Sequence, residues 1–259
     1  MSIFKIQRKR EYTKYKLFGI TLFKWKSYKY IRQRELAYLA NLNSVNNLHQ
    51  KTFPQYKNFH NGKEVVLIAS GPSLNEFRPI EGAVYVGVNR ACQYDKVHFD
   101  YLFCQDYGAC QSFFEELCTY AGAKKFLGLL PEYNLPDCVI PDMYASYQGV
   151  ERYYVATSDE KFDFTYDLAS QPLGDSRSVV FSAMQFILWT HPRRIYLVGC
   201  DTALNGYYNS KSNGLSIKKV KDGWRRMKDF IRVYYPDIEV ISINPVGLKG
   251  LFKDKYQAK

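Results

Sequence analysis

The chain has 259 residues and a mass of 30.3 kDa, the size of one large domain or one domain with an appendage. Aromatic residues make up 17% of it, which excludes disorder as the main state, and no run of about 18 apolar residues exists, so no transmembrane helix is expected. The net charge of +11 is uneven: residues 1–35 hold eleven Lys or Arg against Glu11 and Glu35, and the rest of the chain is nearly neutral.

In residues 1–35 these cations are interleaved with Phe4, Tyr12, Tyr15, Phe18, Phe23, Trp25, Tyr28 and Tyr30. Basic residues beside aromatics suit an anionic membrane surface, where each cation contributes roughly 1 kcal/mol and rings settle at headgroup depth. A signal peptide fits poorly, because the apolar run Leu17–Phe23 is short and contains Gly19 and Thr21. Nucleic acid is a rival partner and an arm packed on its own domain a third reading; the membrane surface is favoured, and nucleic acid is not expected. We divide the chain into this basic aromatic arm (1–35) and a main domain (36–259).

Residues 36–60 read as helix and then loop. From residue 64 the pattern is α/β. Glu64–Ala69 is a continuous apolar run, as in a strand buried on both faces. Ala83–Val88 and Tyr101–Cys104 are further strands, Gln111–Tyr120 a helix and Lys125–Leu130 a strand. Residues 131–175 read as irregular. Ser178–Thr190 is an almost wholly apolar helix, Arg194–Gly199 a strand, Gly223–Tyr234 an amphipathic helix and Ile238–Ile243 the last strand. The polar, basic stretch 209–222 reads as mobile. Strands alternating with helices predict an α/β, Rossmann-like fold with a mostly parallel sheet, helices on both faces and a short lid at about 203–222.

Ligands of open α/β sheets sit beyond the C-terminal ends of the strands. Ser70-Gly71-Pro72-Ser73 follows the first strand directly. Gly71 permits close approach of backbone to a phosphate, and Ser70 and Ser73 offer hydroxyls; a plain strand–turn–helix junction capped by Ser73 is the competing reading. Asn89-Arg90 ends the second strand, where Asn89 suits a base or ribose and Arg90 a phosphate, or Asn89 simply forms a turn. Asp106 ends the third, as a general base, a hydroxyl ligand or a helix cap. Ser176 and Ser178 precede the buried helix and offer anion-site physics or ordinary capping. Gly199 and Asp201 end the strand Arg194–Gly199, followed by Tyr207 and Tyr208, which suit base stacking or phosphate binding. The four histidines and six cysteines show no metal-ligand spacing, and no GxSxG elbow exists. Buried thiols in a reducing cytoplasm are expected.

The order of SGPSL, VNRA, CQD, the Ser-led helix, RIYLVGCD and NGYY resembles the bacterial lipooligosaccharide sialyltransferases of glycosyltransferase family 42, and more broadly the Gly-Pro-Ser-Leu proteins of surface-glycan clusters. The likeness covers residues 64–208 and the closing strand near 238–244. KYKLFGITLFKWK also resembles a leader seen on many bacterial surface-polysaccharide glycosyltransferases.

The resemblance implies transfer of sialic acid or a related sugar from a CMP-linked donor to a surface-glycan or glycolipid acceptor, without metal. Ser70, Gly71, Pro72, Ser73, Asn89, Arg90, Ser176, Ser178, Gly199, Asp201, Tyr207 and Tyr208 are then donor-binding. The family's lid base is a His, and this chain has none after His191; Ala203 takes one tyrosine position. Asp106 is therefore the expected base, and Lys211, Lys218, Lys219 and Lys221 stand as phosphate partners. A cytoplasmic protein, peripheral at the inner face of the membrane, follows; self-association stays open. The alternatives are a Mg²⁺-dependent diphosphokinase-like phosphotransferase, with Asp106 and Asp201 as ligands, and a non-catalytic nucleotide- or glycan-binding relative.

Overall fold

The computed structural model describes residues 4–8, 12–26, 28, 32, 43–129, 139–156, 164–203, 206–209 and 217–257. It divides into two compact units, residues 1–47 and 48–259, with the division inside a helix over 43–52, α1.

The first unit holds a three-stranded antiparallel sheet, β1 (Phe4–Arg8), β2 (Tyr12–Leu17) and β3 (Ile20–Lys26), where no strands were expected. Phe18 and Gly19 join β2 to β3, both with positive φ, in the two-residue connection that matches strand twist.

The second unit is built on nine strands in the order β12-β11-β10-β4-β5-β6-β7-β8-β9, all of whose pairings are parallel. The central strands are β4 (Glu64–Ile68), β5 (Val84–Val88), β6 (Tyr101–Cys104), β7 (Lys124–Leu129), β10 (Arg194–Val198) and β11 (Glu239–Ile243). Their apolar runs are buried on both faces, as a parallel sheet covered on both sides requires. The irregular reading of 131–175 is corrected by β8 (Val150–Ala156) and the short β9 (Leu173–Gly174), and β12 (Lys253–Lys255) adds an edge beyond β11. Reading β8 as loop follows from its polar Glu151 and Arg152 and its adjacent Tyr153 and Tyr154, which break the apolar run that marks a central strand.

One face of the sheet is covered by α4 (Val179–Trp189) and α5 (Ile217–Tyr234), the other by short helices: α2 (Tyr107–Cys110), α3 (Phe114–Thr119) and 3₁₀ turns. Every residue of α4 is buried, which is why no polar stripe shows in its sequence. Phe186 of α4 closes an aromatic cluster with Tyr56, Tyr101, Phe103 and Phe126. Truncating Phe186 to Ala costs about 3–5 kcal/mol by transfer and cavity terms. α5 begins at 217 rather than 223, so the expected lid ends in helix; its residues 204–205 and 210–216, with Lys211, lie outside the described residues, as does Cys138.

At the N-terminal edge of the sheet Arg194 bridges Glu64 (2.8 Å) and Glu239 (2.5 Å), and Lys253 joins Glu239 (2.6 Å). The apposed carboxylates and cations tie β4, β10, β11 and β12 at the edge away from the ligand side. The Lys253 and Arg194 hydrogen bonds hold the Glu239 carboxyl below the usual carboxylate range.

Candidate functional site

The chain runs from β4 outward through β5 to β9, then returns to place β10 on the other side of β4. Strand order thus reverses between β4 and β10, and in open α/β sheets ligands bind at such a reversal, beyond the C-terminal ends of the strands. A cleft of about 630 Å³, counted to its open mouth, lies at that point. Its lining comes from the ends of β4 (Ala69, Ser70, Gly71), β5 (Val88, Asn89) and β10 (Gly199 to Ala203), the start of α4 (Ser178 to Val180), Gly206 and Tyr207, and Val220 and Trp224 of α5.

Two glycines let the β4 and β10 loops touch. Gly71 N–H donates to Gly199 O (2.8 Å), and a Cβ on Gly71 would stand 2.5 Å from both that oxygen and Asp201 Cγ. Gly199 has φ +65°, and a Cβ there would collide with Ala69 O. Ser73 then turns inward to Asp201: its N–H donates to Oδ2 (2.9 Å) and its hydroxyl to Oδ1. Asp201 is only 4% exposed, so both bonds replace water that the carboxylate has lost. The segment after β4 is a short 3₁₀ turn, Pro72–Glu76, rather than the helix start that Ser73 would cap.

Asn89 sits at φ +49°, a left-handed conformation that asparagine tolerates, and its buried Oδ1 has no hydrogen-bond partner. Thr202 Oγ1, against Gly247, and Trp224 Nε1 are likewise buried without partners. Three orphaned polar atoms on residues lining one cleft are unusual, because buried polar groups are nearly always satisfied. Trp224 is fully buried and Thr202 is 7% exposed.

The α4 start is held by a buried network. Asp175 Oδ1 accepts Arg177 N–H (3.1 Å), and Oδ2 accepts from Gln105 Nε2 (3.2 Å). Gln105 Oε1 in turn accepts from Ser182 Oγ (3.2 Å) and Tyr153 OH (3.5 Å), and burial holds the Tyr153 phenol far above its ordinary value, so it stays a donor. Ser176 Oγ accepts from Arg226 of α5 (2.6 Å). Ser178 caps α4 and lines the cleft, leaving first-turn N–H groups at its edge.

Of the sequence-derived site residues, Ser70, Gly71, Asn89, Ser178, Gly199, Asp201 and Tyr207 line the cleft. Pro72, Ser73, Ser176 and Tyr208 lie behind them as supports; Tyr208 N–H donates to Ser70 O (2.8 Å). Arg90 stacks between the rings of Phe113 (4.9 Å) and Tyr207 (5.4 Å). Asp106 is half-buried at the end of β6 and does not line the cleft. Cys200 lines it as a thiol whose burial, next to Asp201, raises its pKa and leaves it un-ionised. Burial likewise pushes the Tyr208 phenol up to about 12. Sequence reasoning missed Thr202 and Trp224. Trp224 falls on the buried stripe Val220, Trp224, Met227, Ile231, which reads as core packing and nothing else. Among the described residues no three His, Cys, Asp or Glu side chains gather as a metal-binding group, and no helix is long and apolar enough to cross a membrane.

Together these observations define an α/β, Rossmann-like fold with a cleft at its strand-order reversal. No family model matches the chain, and no curated protein sequence does. Among solved structures it is similar to the MAf glycosyltransferase from Magnetospirillum magneticum AMB-1, with a TM-score of 0.51 and 14% identity, over 83% of this chain and 38% of that one. The chain thus spans well under half the length of that protein, and the likeness is one of fold.

Proposed function

We propose that this chain is a glycosyltransferase that moves a sugar, sialic acid or a close relative, from a nucleotide-activated donor to a bacterial surface glycan or glycolipid. The observation that carries the reading is the set of orphaned polar atoms, Asn89 Oδ1, Thr202 Oγ1 and Trp224 Nε1, on residues lining a cleft at the strand-order reversal. Such atoms are stabilised when a ligand completes their hydrogen bonds. The fold neighbour is itself a glycosyltransferase by name. The motif order favours a CMP-linked donor and a metal-independent reaction.

In this reading Gly71 and the α4 start face the donor phosphate, whose charge grows as the sugar leaves, and preorganised N–H groups stabilise it there. Asn89 holds the nucleoside. Asp106, outside the donor-lining residues but at the end of β6 on the same sheet edge, takes the acceptor proton. Residues 1–35 dock the enzyme on the anionic inner face of the membrane, where a lipid-linked acceptor lies.

The test is thermal unfolding with CMP, UDP, GDP and ATP, each with and without Mg²⁺. CMP at about 100 times its Kd should add roughly 2.7 kcal/mol of apparent stability without metal. Stabilisation by ATP that requires Mg²⁺ would turn the reading to a phosphotransferase. Binding of CMP with no transfer or donor hydrolysis in cell extract would make the chain a non-catalytic binder. No response to any nucleotide would end the proposal.

A further inference from the structure

The register of the N-terminal sheet sorts its residues onto two chemically opposite faces. Directly paired residues of antiparallel strands share a face, and successive residues alternate. The pairs Phe4↔Leu17 and Ile6↔Tyr15 across β1–β2, with Leu17↔Ile20, Tyr15↔Phe23 and Thr13↔Trp25 across β2–β3, put Phe4, Ile6, Tyr15, Ile20, Phe23 and Trp25 on one face. The pairs Lys5↔Lys16, Gln7↔Lys14 and Lys14↔Lys24 put four lysines, Lys5, Lys14, Lys16 and Lys24, on the other. The register shift between Tyr15 and Lys16 skips Leu22, and this bulge keeps Ile20 on the apolar face. Contacts agree with the assignment: the Phe4 and Tyr15 rings lie 6.3 Å apart, and Lys14 and Lys24 both reach the Tyr12 ring, at 4.9 and 4.6 Å.

Described residues of the apolar face are strongly exposed. Phe4 is 50% exposed, Ile20 68%, Phe23 61% and Trp25 65%. A contiguous exposed apolar surface of this kind marks an interaction site. We infer that this sheet is a one-sided membrane-inserting element, whose apolar face enters the headgroup and upper acyl region of an anionic bilayer while its lysine face stays in water. The inference rests on the membrane docking of residues 1–35 proposed above, and adds that the contact is insertion of a defined face rather than charge attraction alone. Charge selects the occupant. A second copy would bring the same excess of cations and be repelled, whereas anionic lipids bring the opposite sign. The lysine stems are long enough to reach back to lipid phosphates from the water side, and Trp25 and Tyr15 suit headgroup depth.

Full-length protein should be mixed with vesicles of phosphatidylcholine containing roughly 30% phosphatidylglycerol, and with pure phosphatidylcholine. Of the three tryptophans, Trp189 and Trp224 are buried, so Trp25 reports on the arm. On anionic vesicles Trp25 emission should shift blue and be quenched by brominated acyl chains, and Trp25→Phe should remove the quenching while the protein still pellets. Ile6→Ser with Phe23→Ser should weaken pelleting by roughly tenfold or more. Lys14→Gln with Lys24→Gln should weaken mainly the salt-sensitive part. Pelleting without Trp25 quenching, and fully released by about 0.5 M salt, would overturn insertion while leaving electrostatic docking intact. No pelleting at all would overturn both. Self-association abolished by Phe23→Ser, with no quenching by lipid, would assign the face to a second copy and overturn the inference. None of these outcomes depends on the nucleotide cleft.

Discussion

Ser73 and Asp201 lie 128 positions apart and are joined twice, by the Ser73 N–H to Oδ2 at 2.9 Å and by its hydroxyl to Oδ1. The pair locks the loop after β4 to the loop after β10, both of which line the cleft. A residue expected to offer its hydroxyl to a ligand instead fixes the shape of the ligand's site.

Asp201→Ala leaves the N–H and hydroxyl of Ser73 without their acceptor. Two charge-assisted bonds are lost from a buried position, and destabilisation of about 2–4 kcal/mol is expected. Urea unfolding of both proteins checks the value. A loss below about 0.5 kcal/mol would mean that the two loops are held by something else.

At Gly71 the relevant neighbours are backbone and a clamped carboxylate, so neither can give way. Gly71→Ala should cost about 1–3 kcal/mol by overpacking and, by prising the loops apart, abolish nucleotide binding. Calorimetric titration with CMP against the wild type reads the second effect. Undiminished affinity in a folded variant would remove Gly71 from the donor site.

Asn89→Gly separates folding from binding. Glycine adopts φ +49° freely, and the substitution deletes the buried Oδ1 that has no partner. Stability should change by no more than about 1 kcal/mol, while donor affinity falls by roughly tenfold or more. Equal losses in both would identify Asn89 as a structural residue.

If Asp106 takes the acceptor proton, Asp106→Asn should lower turnover by about 10²- to 10⁴-fold with CMP affinity unchanged. Full turnover with the native acceptor would strike that role out.

His49 predicts a pH dependence. Its Nε2 accepts Tyr154 N–H (2.8 Å), so the proton sits on Nδ1 and is donated to Leu168 O (2.9 Å). Burial pushes its pKa down from 6.5 to about 4. The folded value lies below the unfolded one, so the unfolded chain takes up the proton first as pH falls. Stability that is complete above pH 6.5 is lost on descent to about pH 4, by about 3 kcal/mol. His60 is shifted the same way by burial and adds to the slope. Urea unfolding across this range should show it, and His49→Gln should flatten it; an unchanged slope would place the titration elsewhere.

The alternation of apolar runs with helix patterns from Glu64 to Ile243 was enough to read an α/β sheet, because a strand buried on both faces must be apolar at every position. For the same reason the C-terminal ends of those strands stood out: Ser70, Gly71, Asn89 and Gly199 are where apolar runs stop, and strand direction alone puts them on one edge. Composition concealed the N-terminal sheet. Lysines and aromatics alternate with period two in Lys14-Tyr15-Lys16 and in Phe23-Lys24-Trp25-Lys26, but a segment weighed by its charge does not show its period.

What the order of residues could not contain is distance. Ser73 and Asp201 meet because β10 returns to the far side of β4, and Trp224 reaches the cleft because α5 lies across the start of α4. A tryptophan on an apolar helical stripe has the same pattern whether its N–H ends in a core or beside a ligand. Asp106 carried the same strand-end signature as Asn89, yet only Asn89 lines the cleft. Strand ends are local and periodic, so the chain itself declares them. Which ends converge is set by the order in which strands pair, a property of the assembled sheet.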